Sequence, residues 1–167
     1  MSIWQFQRAV MLRLLAWGTT SVFSGIWLMR LGQFWRGMGS QFAGWGVINT
    51  LIALFGGASS SRRMRHHPQA LDPDFMDKET RNLTRLLWIN TFLDVLYMAG
   101  GLSWIFRRKT DSFQRGMGWG VVMQGGFLFF FDLIHAILVP PTRRAWRFWD
   151  FSHGEAKNAP PRGADLE

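Results

Sequence analysis

The stretch Arg115–Thr142, RGMGWGVVMQGGFLFFFDLIHAILVPPT, decides how the rest of the chain is read. From Gly116 onward it carries a single formal charge, at Asp132. It is longer than the ~20 mainly apolar residues a helix needs to cross the hydrocarbon layer of a bilayer. The stretch therefore predicts a transmembrane helix with Gln124, Asp132 and His135 inside the hydrocarbon. Such groups are costly there; they face other protein groups or a wet cavity, and they mark a candidate functional site.

Composition agrees with that reading. The 167 residues are 48% hydrophobic and 16% aromatic, too apolar for a disordered chain and of a length for one compact domain. A mean hydropathy of +0.00 hides a segregation of the charges into blocks between long uncharged runs. The net charge of +8 raises nucleic acid as a partner, but the arginines flank apolar runs, as they do beside anionic headgroups, and form no stripe along a polar helix. The expected partner is a lipid bilayer, with no nucleic acid. With no cysteine there is no disulfide, thiolate nucleophile or cysteine metal site.

Four spans are predicted, at about 10–29, 39–57, 86–106 and 117–139. Arg8 and Arg13 precede the first apolar run, which no A-x-A-like cleavage site follows, so it reads as an uncleaved helix. The second run, uncharged from Gly37 to Ser61, is expected to stop at the Gly-Gly and Ser punctuation of GGASSS. Within the long polar connection that follows, Asp72-Pro73 reads as an N-cap with proline at the first helical position, so the third helix starts as a polar extension and enters the membrane near Leu86. Pro140-Pro141 end the fourth helix. Residues 1–142 thus form the helical domain, and 143–167 a basic, aromatic juxtamembrane segment with a disordered tail.

Basic residues set the orientation. Arg30, Arg36, Arg107, Arg108, Lys109 and Arg115 fall on one side, and the other thirteen Lys and Arg on the side of both termini, which predicts cytoplasmic termini in a multi-pass protein. Arg62, Arg63, Arg65, Arg143, Arg144 and Arg147 are expected to touch anionic headgroups on that side.

The two halves resemble each other. Arg36-Gly37-Met38-Gly39 recurs as Arg115-Gly116-Met117-Gly118, and a shift of 83 superposes Gln41 on Gln124 and Asn49 on Asp132. The predicted fold is an all-α polytopic membrane bundle of two tandem hairpins. Residues level with one another in an antiparallel pair have a constant sum of numbers. A sum near 225 places Asn90 opposite His135, Asp94 opposite Asp132 and Gly101 opposite Gln124; Asn90, Asp94, Tyr97 and Gly101 follow one helical stripe. A sum of 66 places Trp17 opposite Asn49, Ser21 opposite Trp45 and Gly25 opposite Gln41.

Two facing carboxylates in low dielectric are expected to share a proton, or to lend charge to His135. That cluster has three uses. It could fix helix packing, in a non-enzymatic interaction module or small-ligand binder. It could carry protons for a small-solute transporter or channel, expected as a homo-oligomer because four spans leave little room for a path. It could cleave bonds, but intramembrane aspartyl proteases carry a Gly-x-Gly-Asp motif where Asp132 follows Phe129-Phe130-Phe131, so no enzyme is expected. His66-His67 are adjacent and converge poorly on one ion, and no metal or cofactor is expected.

At the paired RGMG turns, the GWGVIN segment and the MQGGFLFFFDLIH helix, the chain resembles a family of small uncharacterised bacterial integral membrane proteins labelled as a domain of unknown function. The resemblance implies a bacterial inner-membrane location over the four spans and brings no activity with it.

Overall fold

A computed structural model describes residues 1–141, and these are all-helical: α1 Ile3–Leu28, α2 Gln33–His66, α3 Pro73–Arg107 and α4 Ser112–Leu138. Arg143, Arg144, Arg147 and the tail lie outside the described residues.

Each helix start has a local cause. The Ser2 hydroxyl accepts from the Gln5 amide at 3.3 Å while the Gln5 side chain accepts from the Ser2 amide at 3.1 Å, a reciprocal cap that begins α1 well before residue 10. Gly32, at φ 129°, makes the turn into α2 in a region that residues with a Cβ rarely enter. Asp72 accepts from the Asp74 amide at 2.8 Å, and Pro73 takes the first helical position, where its missing N–H costs nothing. Asp111 caps α4 through the Gln114 amide at 3.0 Å.

The Gly and Ser run after residue 56 does not stop α2. The helix continues through it to His66 because tertiary bonds outweigh weak local propensity. Ser60 donates to the Gln7 side chain of α1, and Arg63 reaches both Ser59 and Glu79 of α3. At 1.5 Å per residue α2 and α3 are ~51 and ~52 Å long, against ~40 Å for α1 and α4. The excess lies at one end, where the beginning of α1 meets the end of α2 and the beginning of α3. Much of the bulky core gathers there, with Ile3, Trp4, Phe6, Leu83 and Leu87. Trp4 donates its indole N–H to the Ala70 carbonyl at 3.0 Å and stacks on Phe75.

Along their shafts the helices meet through glycine. α1 lies along α2, α3 along α4, and α2 along α4. A Cβ at Gly37 would collide with the carbonyl of Phe113, and one at Gly116 with the carbonyl of Phe34. These contacts are reciprocal and their members lie 79 residues apart, so α2 and α4 run parallel about a local two-fold axis. In the antiparallel pairs, Gly25 seats against Gly39 and Ala43, while Gly101 seats against Gly118; Gly18 and Val22 meet Gly46 as Asp94 and Met98 meet Gly125. The first helix of each pair is thus related by 76 residues and the second by 79. The shift of 83 does not describe the duplication: Gln41 corresponds to Gly120 and Gln124 to Trp45. Two shifts are needed because α3 runs three residues further than α1 before its turn.

Outward surfaces are apolar. Phe23, Phe55, Phe106 and Ile137 are all at least 66% exposed, and only 17% of the most apolar window of α2 is covered by protein. All four helices are long and apolar enough to cross a membrane. A bundle built for water carries polar residues on such a surface.

The glycine contacts give a paired prediction. Gly116→Ala forces α2 and α4 apart and is expected to lower stability by ~1–3 kcal/mol. Gly44→Ala, where an added Cβ meets nothing within 4 Å, is expected to be neutral or to stabilise by up to ~1 kcal/mol. Thermal unfolding of the two variants in detergent, followed by circular dichroism, reads both.

Candidate functional site

One set of buried polar groups, around Gln124, Asp94, Asp132 and His135, lies along the middle of the bundle. Asp94 and Asp132 are 4% and 7% exposed, and their carboxyl groups lie near enough to interact. Gly125 lies between the Asp94 carbonyl and the Met98 amide, so Asp94 is level with residue 127, five residues or ~7.5 Å from Asp132. Side chains on a helix lean toward its N-terminus. In an antiparallel pair that lean closes the gap, carrying the two carboxyl groups toward one another. Asp94 Oδ2 has no hydrogen-bond partner among the described residues.

Gln124, only 1% exposed, uses both ends of its amide on α1. Its Oε1 accepts from the Trp17 indole N–H at 3.1 Å and its Nε2 donates to the Ser21 hydroxyl at 3.2 Å. The Trp17 ring lies flat on Phe127, with centroids 3.5 Å apart. Gln124 therefore reaches diagonally across the bundle, and Gly101 faces Gly118 and Val121 instead of Gln124. The levels of α3 and α4 sum to about 221, and the glycines fix that value by close backbone approach.

His135 has a defined tautomer. Arg13 can only donate, so its Nη1, 3.0 Å away, donates to His135 Nε2, and Nδ1–H donates to the Phe131 carbonyl at 2.6 Å. The imidazole is neutral. Its side-chain hydrogen-bond partner is Arg13 on α1, neither of the acids nor Asn90, which is half-buried.

Other sequence-predicted members lie elsewhere. Tyr97 is 43% exposed and meets Trp45 edge to face at 5.2 Å. Under the shifts of 76 and 79, Tyr97 corresponds to Ser21 and Trp45 to Gln124. One diagonal is thus closed by a hydrogen bond and its symmetry mate by an aromatic contact. Asn49 is buried, with its Nδ2 unpartnered among the described residues; Trp17 and Ser21, expected on α2, face α4. Gln41 lays its stem over Gly120. Arg63, expected at headgroups, is tied inward by a 3.2 Å ion pair to Glu79, which also accepts from Gln7 at 3.4 Å. Sequence reasoning missed Arg13 as a partner of His135 and missed the Gln7, Ser60, Glu79 and Arg63 network. A signal for the second existed: Gln7 and Glu79 are polar positions on otherwise apolar stripes with Phe6 and Val10, and with Leu83 and Leu87.

The Gln124 bonds predict coupling. In a double-mutant cycle, Gln124→Leu and Ser21→Ala are each expected to destabilise, with a coupling of ~0.5–1.5 kcal/mol in unfolding experiments. Additive losses would remove the hydrogen bond as a tie between α1 and α4.

Comparison with known sequences gives a family without an activity. The chain belongs to DUF6992, a family of unknown function, which it matches over residues 13–133. No curated protein and no solved structure matches it. The matched region runs from Arg13 to one residue beyond Asp132, and so takes in all of the central polar groups except His135.

Proposed function

We propose that this family member is a multi-pass membrane protein of two tandem hairpins, seated in a bacterial inner membrane with both termini cytoplasmic. Its central polar residues hold the hairpins together in a non-enzymatic interaction module. The observation that carries this reading is the use of both ends of Gln124 on α1, with Arg13 on His135 as a second diagonal tie. In hydrocarbon a free polar group is costly, so pairs of this kind choose which helices stay together. The apolar outer surface and the thirteen basic residues on the terminal side support the location.

The pair of buried acids, Asp94 and Asp132, favours a second reading, proton-linked transport by an oligomer. The two readings part in proteoliposomes. A structural pair predicts no proton flux above that of empty vesicles, with Asp94→Asn tolerated and Asp94→Leu destabilised by ~1–3 kcal/mol. A wild-type flux that disappears in the folded Asp94→Asn, Asp132→Asn double variant would replace the module with a transporter.

A further inference from the structure

We infer that the α1–α2 groove at the terminal end of the bundle is a binding site for one anionic phospholipid, its phosphate held by Arg8 and Arg65. The inference rests on the membrane reading above. The groove has a volume of about 370 Å³, is partly open, and is lined by residues of α1 and α2 alone. It exists because α2 stays helical through Gly57 and Ala58: these positions have little or no side chain to fill the space beside Met11, and the run that reads as a helix stop becomes the floor of a cleft.

Chemistry along the groove changes from one end to the other. Toward the bundle centre its walls are Leu12, Leu15 and Leu54, and Leu12 and Leu54 are more than half exposed. Toward the end are Arg8, Arg65 and the Ser61 hydroxyl. With α1 and α2 levelled at a sum near 66, Arg8 is level with residue 58 and Arg65 stands about two turns further out. Both are antiparallel-helix side chains leaning toward their own N-termini, so the guanidinium groups lean toward each other over Ser61. No acidic side chain lines the groove, and neither arginine has an ion-pair partner among the described residues. Arg63, two positions away on α2, is already neutralised by Glu79. Two unpaired guanidinium groups fit a phosphate diester by paired N–H donation. The leucine walls below them fit an acyl chain, which a free phosphate lacks.

The test uses the full-length protein in three arms. Flotation with pure phosphatidylcholine vesicles reports membrane insertion, and failure to float overturns the membrane reading itself. Native mass spectrometry of the detergent-solubilised protein, titrated with phosphatidylglycerol and phosphatidylcholine, reports the site. A single phosphatidylglycerol is expected to be retained roughly thirty-fold more strongly than phosphatidylcholine, from two basic contacts. That preference is expected to vanish in Arg8→Gln, Arg65→Gln and to persist in Arg30→Gln, Arg36→Gln, which removes equal charge at the opposite end. Gly57→Leu fills the cleft without changing charge and is expected to abolish retention while helical content and gel-filtration position stay constant. Floating protein with equal retention of the two lipids, equal losses in both arginine pairs, or competition by millimolar glycerol phosphate as effective as by phosphatidylglycerol would each overturn the site.

Discussion

A polar side chain enclosed by apolar neighbours has to find its partner within the protein, and in this chain the partners lie across the diagonal. Gln124 and His135 on α4 are satisfied from α1, by Trp17, Ser21 and Arg13. α1 and α4 are neither consecutive nor in close backbone contact; their side chains bridge the space. Without these bonds the buried amide would cost more than its contacts return, and the polar ties between the helix pairs would be confined to Gln7, Arg63 and Glu79 at the terminal end.

Backbone contact does the complementary work. Gly37 and Gly116 let α2 and α4 touch main chain to main chain, and the pairs Gly25 with Gly39 and Gly101 with Gly118 set the register inside each half. The duplicated RGMG motif is therefore a packing device: its first glycine makes the contact between halves and its second the contact within a half. Symmetry then offers two equivalent diagonals, and the sequence fills them differently, with Gln124 and Ser21 on one and Trp45 and Tyr97 on the other. Arg13 with His135 lies on the same diagonal as Ser21 with Gln124, between α1 and α4.

Much of the helical plan was legible from residue order, because uncharged runs and caps are local signals. Asp72-Pro73 marks the start of α3, and Pro140-Pro141 follow the end of α4. The level of Gly25 with residue 41 was also accessible, since a constant sum follows from antiparallel geometry. Which face a residue presents was not. Gly25 touches Gly39 and Ala43 on either side of Gln41, while Gln41 itself turns to Gly120 of α4. In the second half, matching Asp94 to Asp132 by level gave a sum of 226, five above the backbone value, because it ignored the lean of each side chain toward its own N-terminus. The diagonals stayed hidden for a further reason: sums describe neighbouring helices, and Arg13 with His135 are not on neighbours. The run at Gly56 to Ser61 misled for the opposite reason, since its helix is held by Gln7, Glu79 and Arg63 from distant parts of the chain.

The most direct measurement of the α1–α4 tie is cross-linking, which the absence of native cysteine makes clean. Ser21→Cys combined with Gln124→Cys, treated in membranes with a short bifunctional thiol reagent, is expected to give an intramolecular cross-link in most molecules. If that pair remains unlinked while Gly25→Cys with Ala43→Cys, on adjoining helices, links readily, α1 and α4 do not meet at Gln124 and the diagonal account fails.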